Sequence, residues 1–334
     1  MVGCPVSKPR PFSKLKDQVD FGEESLFANA GWAIPLLLAG RSADAAMIQF
    51  ELAEPRTLTD AVRLLDPGDE TIRPIAGGTA LMLMMKAGVF RPAKLVSLRK
   101  IESNYTAITA TARGLTIGAM TTLSDLEQSP DVRAHAPLII QTLLTLSNVR
   151  VRNVATVGGA LAHGDPHMDL PPVLMALDAS LTVMGPSGER NLPVADLFTG
   201  YYETVLALNE LVAFVHVPAQ ESKQAAYLKV TTGAVDDWPA LGIAVAIASD
   251  ADIVRSVRIV ASAATDKATR LTSAEAVLKG NRIDDKLLRR AAEAAVEEVE
   301  LVSDMRGSAP YKRELMRVYV QRAVRAALDG SGGR

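Results

Sequence analysis

A chain of 334 residues with 48% hydrophobic side chains is long enough to bury two or three cores, and its formal net charge of -2 leaves no basic surplus for tracking a nucleic-acid backbone. Its single cysteine, Cys4, excludes an intrachain disulfide framework and any cysteine-ligated zinc or iron–sulfur centre built from this chain alone, and a reducing, cytoplasmic setting is expected. No apolar run approaches the roughly 20 residues that a membrane-spanning helix needs.

Residues 1–46 read as an extension, disordered or dispensable. The apolar stretch AGWAIPLLLAGRSADA resembles the core of a signal peptide, but Asp17, Asp20, Glu23 and Glu24 stand between it and the preceding basic residues, where such a peptide carries no acid. MIQFELAEPRTLTDAVRLL looks like a true domain start, with Met47 as the first residue and the upstream Met1 a misassigned one. It predicts a short strand, then a helix carrying Leu58, Ala61, Val62 and Leu65, capped by Thr57 or Thr59. Asp66-Pro67-Gly68 ends that helix. TIRPIAGGTALMLMMKAG then runs from a strand through a glycine turn into a helix. LVSLRKI is a strand, ITATARGLTIGA a hairpin, and Thr121 to Asp125 open another helix. The apolar stretch from His135 to Asn148 predicts one long helix. It leads into TVGGALAHGDPHMD, after which PPVLMALDA is a helix and ASLTVMGPSGERNLPV a hairpin.

The texture changes near residue 218, where a buried strand passes through Pro218 into a polar link. Domains are therefore expected at 47–218, with subdomains of about 47–100 and 101–218, and at 219–330. Beyond the link come three strands, AAYLKVTTG, ALGIAVAIAS and VRSVRIVASAA, then helices near 273–279, 284–300 and 310–328, which together imply an α+β layer. Tyr311, Leu315, Val318 and Ala323 are expected on the buried face of the last helix. Met82, Met84 and Met85 read as helix packing, and Lys267 and Arg270 as surface charges. Arg150 and Arg152 are open to a phosphate-neutralising, a solvated or a partner-facing role.

His163, Asp165, His167 and Asp169 recur at every second position, a spacing that would bring metal-ligand side chains to one face of a strand. Pro166 interrupts any such strand, the chain has only four histidines, and His135 and His216 lack neighbouring ligands, so a metallohydrolase is the least favoured reading. Ala76-Gly77-Gly78-Thr79 and Thr156-Val157-Gly158-Gly159 ask less of side chains. Glycine lets backbone N–H groups approach phosphate oxygens, although neither turn matches the Rossmann or P-loop pattern and paired glycines commonly mark tight corners. Two such turns, each with a hydroxyl, plus the acid Asp169, would suit a nucleotide's pyrophosphate and ribose.

IAGGTALMLMMKAG and ATVGGALAHGDPHMDLPPVLMALDA resemble the two flavin-binding segments of the molybdenum hydroxylase flavoproteins. That family includes the medium subunit of aerobic carbon monoxide dehydrogenase and the FAD domain of xanthine dehydrogenase. YLKVTTGAVDDWPALGIAV and DMRGSAPYKRELMRVYVQRAV extend the resemblance over about residues 47–328. It implies an α+β FAD-binding fold of the vanillyl-alcohol oxidase (PCMH) type, with two subdomains enclosing the cofactor, followed by a smaller C-terminal α+β domain.

By the same resemblance, the backbone of Ala76, Gly77, Gly78, Thr79, Ala80 and Leu81 wraps the FAD pyrophosphate, and Thr156, Gly158 and Gly159 complete the cradle. His163 falls near the redox-active edge of the flavin and Asp169 at the adenosine ribose. Asp165-Pro166 shapes the turn, and His167 receives no role. Lys229 and the Asp237-Trp238 pair belong to a third segment that closes over the cofactor. There Gly233 departs from the arginine common in the family, which puts any contact of that arginine in doubt. The implied activity is electron transfer within a complex, likened to a dimer of heterotrimers, with a large molybdopterin subunit and a small [2Fe-2S] subunit as partners. FAD would receive electrons from the clusters and pass them to an external acceptor. With Cys4 alone, the 4-hydroxybenzoyl-CoA reductase subtype, which adds a [4Fe-4S] cluster, is excluded. The alternative is a scaffold subunit of the same fold without functional flavin.

Overall fold

The computed structural model describes residues 49–220, 224–250 and 253–330. The expected extension, the start at Met47 and the terminal SGGR lie outside the described residues.

The chain opens with a parallel unit: β1 (Glu51–Ala53), α1 (Leu58–Arg63), β2 (Ile72–Ile75), α2 (Thr79–Lys86) and β3 (Lys94–Ser97). Its strands pair in the order β1-β3-β2. Thr57 starts α1, its hydroxyl accepting from the Asp60 N–H, and Leu58, Ala61 and Val62 are buried beneath the sheet. In α2 only Met85 is buried, while Met82 is 39% exposed, because the helix lies on the rim of this small layer rather than inside a core. The expected packing role therefore holds for one of the three methionines.

Next come β4 (Ile108–Thr111) and β5 (Gly114–Gly118), followed by six short helices: α3 (Leu123–Gln128), α4 (Pro130–His135), α5 (Pro137–Leu143), α6 (Val149–Arg152), α7 (Val157–Ala162) and α8 (Leu170–Ala176). The single helix expected from His135 to Asn148 is thus broken. Pro137 has no N–H to continue a helix and disfavours a helical residue before it, and Ala136 accordingly leaves the helical region at φ -142°, ψ 62°. Ser147 then takes a left-handed conformation (φ 52°), and Asn148 caps α6 through its side chain. The chain continues through β6 (Ser180–Gly185), β7 (Gly188–Pro193), β8 (Phe198–Gly200), β9 (Glu203–Thr204) and β10 (Leu211–Pro218). Five of these strands form an antiparallel sheet in the order β4-β5-β10-β6-β7. Leu143, Val157, Leu161 and Leu174 from the helices meet Ile117, Leu181 and Val215 from the sheet in one core.

The remainder comprises β11 (Ala225–Val230), β12 (Leu241–Asp250), β13 (Ile253–Ser262), β14 (Thr269–Arg270), α9 (Thr272–Leu278), α10 (Asp285–Glu298) and α11 (Ala309–Leu328). Its antiparallel sheet has the order β11-β12-β13-β14. Ile243, Val245 and Ile259 pack against Leu288, Val296, Met316 and Val320 in a separate core. The opposite face of the sheet contributes Tyr227, Ala244 and Val260 to the preceding core and packs on α8. Burial on both faces accounts for the nearly unbroken apolar run of β12.

The buried face of α11 is rotated from the expected one. Met316, Val320, Ala323, Val324 and Ala327 are buried, together with Lys312, whereas Tyr311 and Val318 are exposed. Lys312 turns inward because its ammonium finds the Ala263 carbonyl at 2.9 Å and the Asp304 carboxylate at 2.6 Å. Arg270 is exposed, as expected, and its guanidinium holds the buried Glu275, which also accepts the Ile259 N–H.

Candidate functional site

The two glycine turns meet. A Cβ built on Gly77 would lie 1.9 Å from the Val154 carbonyl oxygen and 2.8 Å from the Ala155 Cα, so the first turn packs backbone to backbone against the segment leading into the second. A Cβ on Gly159 would come 3.9 Å from that of Ala76. Gly78 is the N-cap of α2 in a left-handed conformation (φ 75°) that disfavours a side chain. With no side chain to cap the helix, the Thr79, Ala80 and Leu81 amides at its start have no intrahelical acceptor. Residues 71–81 are all half-buried, a rim neither sealed in the core nor fully in water.

The second turn is built differently. The Val157 N–H donates to the Thr121 carbonyl at 3.0 Å, Gly158 to Ala119 at 2.7 Å, and Gly159 to the Thr156 hydroxyl at 3.2 Å. All three starting amides of α7 are thus engaged within the protein. Gly158 is a packing glycine, since a Cβ there would sit 2.7 Å from the Ala119 Cβ. Arg152, just upstream, is committed to Glu127 and to the Leu146 and Ser147 carbonyls, so it braces the loop after α5 and is not free to neutralise a phosphate.

The HGDPHMD segment forms the loop between α7 and α8, not a strand, and it lies in the seam with the C-terminal unit. His163 caps α7 and meets Tyr202 edge-on at 5.0 Å, and Tyr201 meets Tyr202 likewise at 4.8 Å. Gly164 (φ 68°) accepts the Tyr202 N–H through its carbonyl. Burial pushes the His163 imidazole down from its ordinary pKa, against a weaker pull from Asp165. Burial also raises both tyrosines, with the negative charge of Asp165 adding to it. The Asp165 Oδ1 accepts the His167 backbone N–H at 2.9 Å and so shapes the turn around Pro166. The Pro166 carbonyl accepts the Ala263 N–H, joining this loop directly to the end of β13.

His167 is buried, with Nδ1 3.1 Å from Asp165 Oδ1 and Nε2 3.0 Å from Asp304 Oδ2, and its ring stacks on Trp238 at 5.8 Å. Burial opposes ionisation of Asp304, yet hydrogen bonds from His167 and Lys312 outweigh it and hold that carboxyl at about 2. Asp169 is 4% exposed and takes the Tyr227 hydroxyl at 2.6 Å and the Lys229 ammonium at 2.8 Å. Burial raises its pKa, and Lys229 and Tyr227 pull the other way. Lys229 also donates to the Thr145 carbonyl at 3.0 Å. Gly233 has a local reason in place of arginine: a Cβ there would lie 2.5 Å from Asp237 Oδ2, the atom that accepts the Ala234 N–H in the turn presenting Trp238.

Residues 76–81 and 156–159 therefore form one cluster, and His163, Asp169, Lys229 and Trp238 line the adjoining seam. Sequence reasoning missed Tyr201, Tyr202, Tyr227, Asp304 and Lys312. The Gly200-Tyr201-Tyr202 run was a legible cue, as an aromatic pair on a tight turn. Asp304 and Lys312 gave no signal, because each reads as an ordinary surface charge until the fold buries Lys312 and brings both to His167 and Ala263. Among the described residues no group of three His, Cys, Asp or Glu side chains converges as a metal set. No described helix is long and apolar enough to cross a membrane.

Residues 48–220 match the FAD binding domain in molybdopterin dehydrogenase, and residues 226–327 match the CO dehydrogenase flavoprotein C-terminal domain. The carbon monoxide dehydrogenase medium chain of Hydrogenophaga pseudoflava is 33% identical over 282 residues, covering 84% of this chain and 97% of its own length. The glyceraldehyde dehydrogenase medium chain of Sulfolobus acidocaldarius is 30% identical over 278 residues, covering 83% and 98%. A solved carbon monoxide dehydrogenase from Hydrogenophaga pseudoflava superposes with a TM-score of 0.80 at 33% identity, covering 84% of this chain and 98% of that one. The chain belongs to the family of FAD-binding medium subunits of molybdenum hydroxylases. Its cofactor is FAD, and it is a subunit of an oxidoreductase.

Proposed function

We propose that this subunit passes electrons from the iron–sulfur clusters of a small partner subunit through FAD to an external acceptor, while a large molybdopterin subunit oxidises the substrate. The three chains would assemble as a dimer of heterotrimers in the cytoplasm. The observation that carries this reading is the open start of α2. A left-handed glycine leads into a helix start with no side-chain cap on half-buried residues, and that arrangement suits a pyrophosphate. When bound, FAD supplies the step between one-electron carriers and a two-electron acceptor, and the protein's part is to hold and orient it.

In this reading Ala76 to Leu81 hold the pyrophosphate through backbone amides, with the Thr79 hydroxyl added. Thr156, Gly158 and Gly159 act as the frame behind that turn, consistent with their own amides being engaged internally. His163 lies at the flavin edge and, with its pKa lowered by burial, is neutral there. Asp169 reaches the ribose from the buried side, oriented by Tyr227 and Lys229. Lys229 and Trp238 bring the C-terminal domain, residues 219–330, over the cofactor held by residues 47–218. Substrate choice then rests with the molybdenum-bearing partner, which fits relatives named for carbon monoxide and for glyceraldehyde.

The test is the visible spectrum of the purified chain with and without added FAD, repeated on chain co-purified with its partner subunits. A bound flavin released as FAD, bleached by dithionite and reoxidised by an added acceptor, is the expected result. A colourless chain that ignores FAD alone and in the complex overturns the reading in favour of a scaffold.

A further inference from the structure

His167 has both ring nitrogens against carboxylate oxygens, Asp165 on its own loop and Asp304 in the C-terminal unit, at 3.1 and 3.0 Å. A neutral imidazole carries one N–H, so one of these contacts would set two lone pairs against each other. An imidazolium donates to both. Charge balance requires the same state: Asp165, Asp304, Lys312 and protonated His167 sum to zero, whereas neutral His167 leaves a buried uncompensated negative charge. Trp238, which rides on the β11–β12 connection, stacks on the ring. The clasp therefore joins three elements: the loop after α7, which carries His163; the Trp238 turn; and the segment before α11.

We propose that His167 is a positioning residue for FAD, acting as a protonated clasp that holds the C-terminal domain and Trp238 against the His163 loop and so tightens the flavin site. This rests on the reading of that seam as the FAD site. The titratable and charged groups around His167 are Asp165 and His163 from its loop, Tyr201 and Tyr202 from the β8–β9 turn, Asp304 before α11, and Lys312 on α11. Near neutral pH the carboxylates remain ionised, and burial keeps His163 and both tyrosines uncharged. His167 is the member of this set that changes charge there. Burial alone would lower its pKa, but the two carboxylates raise it above the ordinary value. A raised folded-state pKa means that the stabilisation is complete below the unfolded value of about 6.5 and is lost as pH rises through the folded value.

The experiment uses the full chain, wild type and His167→Gln, from pH 6 to 9, with two readouts: thermal unfolding without FAD, and the dissociation constant for added FAD. The wild type is expected to lose both melting temperature and FAD affinity as pH rises above about 6.5. FAD affinity should fall on the same limb as the melting temperature, because both lose the imidazolium that holds the clasp closed. In His167→Gln both slopes flatten, and FAD affinity sits near the high-pH wild-type value throughout. Asp304→Asn, which leaves the imidazole in place, should shift the inflection to lower pH. Identical pH profiles of FAD affinity in wild type and His167→Gln overturn the proposal. If neither protein binds FAD at any pH, the flavin reading of the seam falls. A melting profile still flattened by His167→Gln would then leave a clasp that positions no cofactor, and the positioning role is overturned.

Discussion

The two glycine pairs look interchangeable as sequence, and the fold gives them opposite work. At Gly77-Gly78 one glycine permits backbone contact with Val154 and the other a left-handed turn, and the helix that follows starts with open amides. At Gly158-Gly159 the hydroxyl of Thr156 and the carbonyls of Thr121 and Ala119 absorb every starting amide. Paired glycine therefore marks close approach in both places, while only an account of where each N–H goes tells the turn with open amides, proposed to face the ligand, from the turn that supports it. The supporting turn is what the first one leans on, through Val154 and Ala155.

The sharpest way to break this comparison is to fill the contact between the turns. Gly77→Ala places a methyl group against a backbone carbonyl that cannot rotate away, so a loss of about 3 kcal/mol or more is expected in urea unfolding, with FAD retention lost as well. Gly158→Ala meets the Ala119 Cβ at 2.7 Å and its carbonyl at 3.0 Å, so the backbone at Ala119 has to shift, and its cost should be about 2–3 kcal/mol, below that of the 1.9 Å contact at Gly77. Folded Gly158→Ala should still bind FAD, because its amide already faces Ala119. If Gly158→Ala loses FAD as completely as Gly77→Ala, the second turn touches the cofactor directly. Gly78→Ala comes next. A side chain at φ 75° costs roughly 1–2 kcal/mol, and FAD affinity should fall further than stability does if the strain is relieved by moving the amides proposed to hold the pyrophosphate.

Legibility followed the same division. Local chemistry was readable: Thr57 as a cap, the strand–glycine–helix order around Gly78, the hairpins, and the apolar β12. The long helix from His135 failed because apolar content outweighed Pro137, whose missing N–H is a stronger local fact than hydrophobicity. The expected face of α11 was off at Tyr311 and Val318, because the fold offers the neighbouring Lys312 a carboxylate and a carbonyl inside and turns that side of the helix inward. His167 had no legible role because its second partner, Asp304, lies 137 residues away in sequence. Pairings of that kind depend on the packing of β13 and α11, and no spacing in the sequence encodes them.

The smallest expected effect separates framing from binding at the second turn. Gly159 is exposed, and a Cβ there would crowd the Thr156 hydroxyl at 2.9 Å, the oxygen that caps its own N–H, while the Ala76 Cβ stays at an ordinary 3.9 Å. Thr156→Val removes that cap and should cost about 1 kcal/mol. Gly159→Ala disturbs the same bond but gains helix propensity of about 1 kcal/mol at most, so its net effect on unfolding should be close to zero. The double variant should cost less than the sum of the two singles, since one hydrogen bond cannot be lost twice. FAD titration decides what remains. If Gly159 is only part of the frame, Gly159→Ala binds FAD as the wild type does. If the cofactor rests against its bare Cα, affinity drops with no matching change in stability, and that residue moves from the supporting turn to the ligand-facing one.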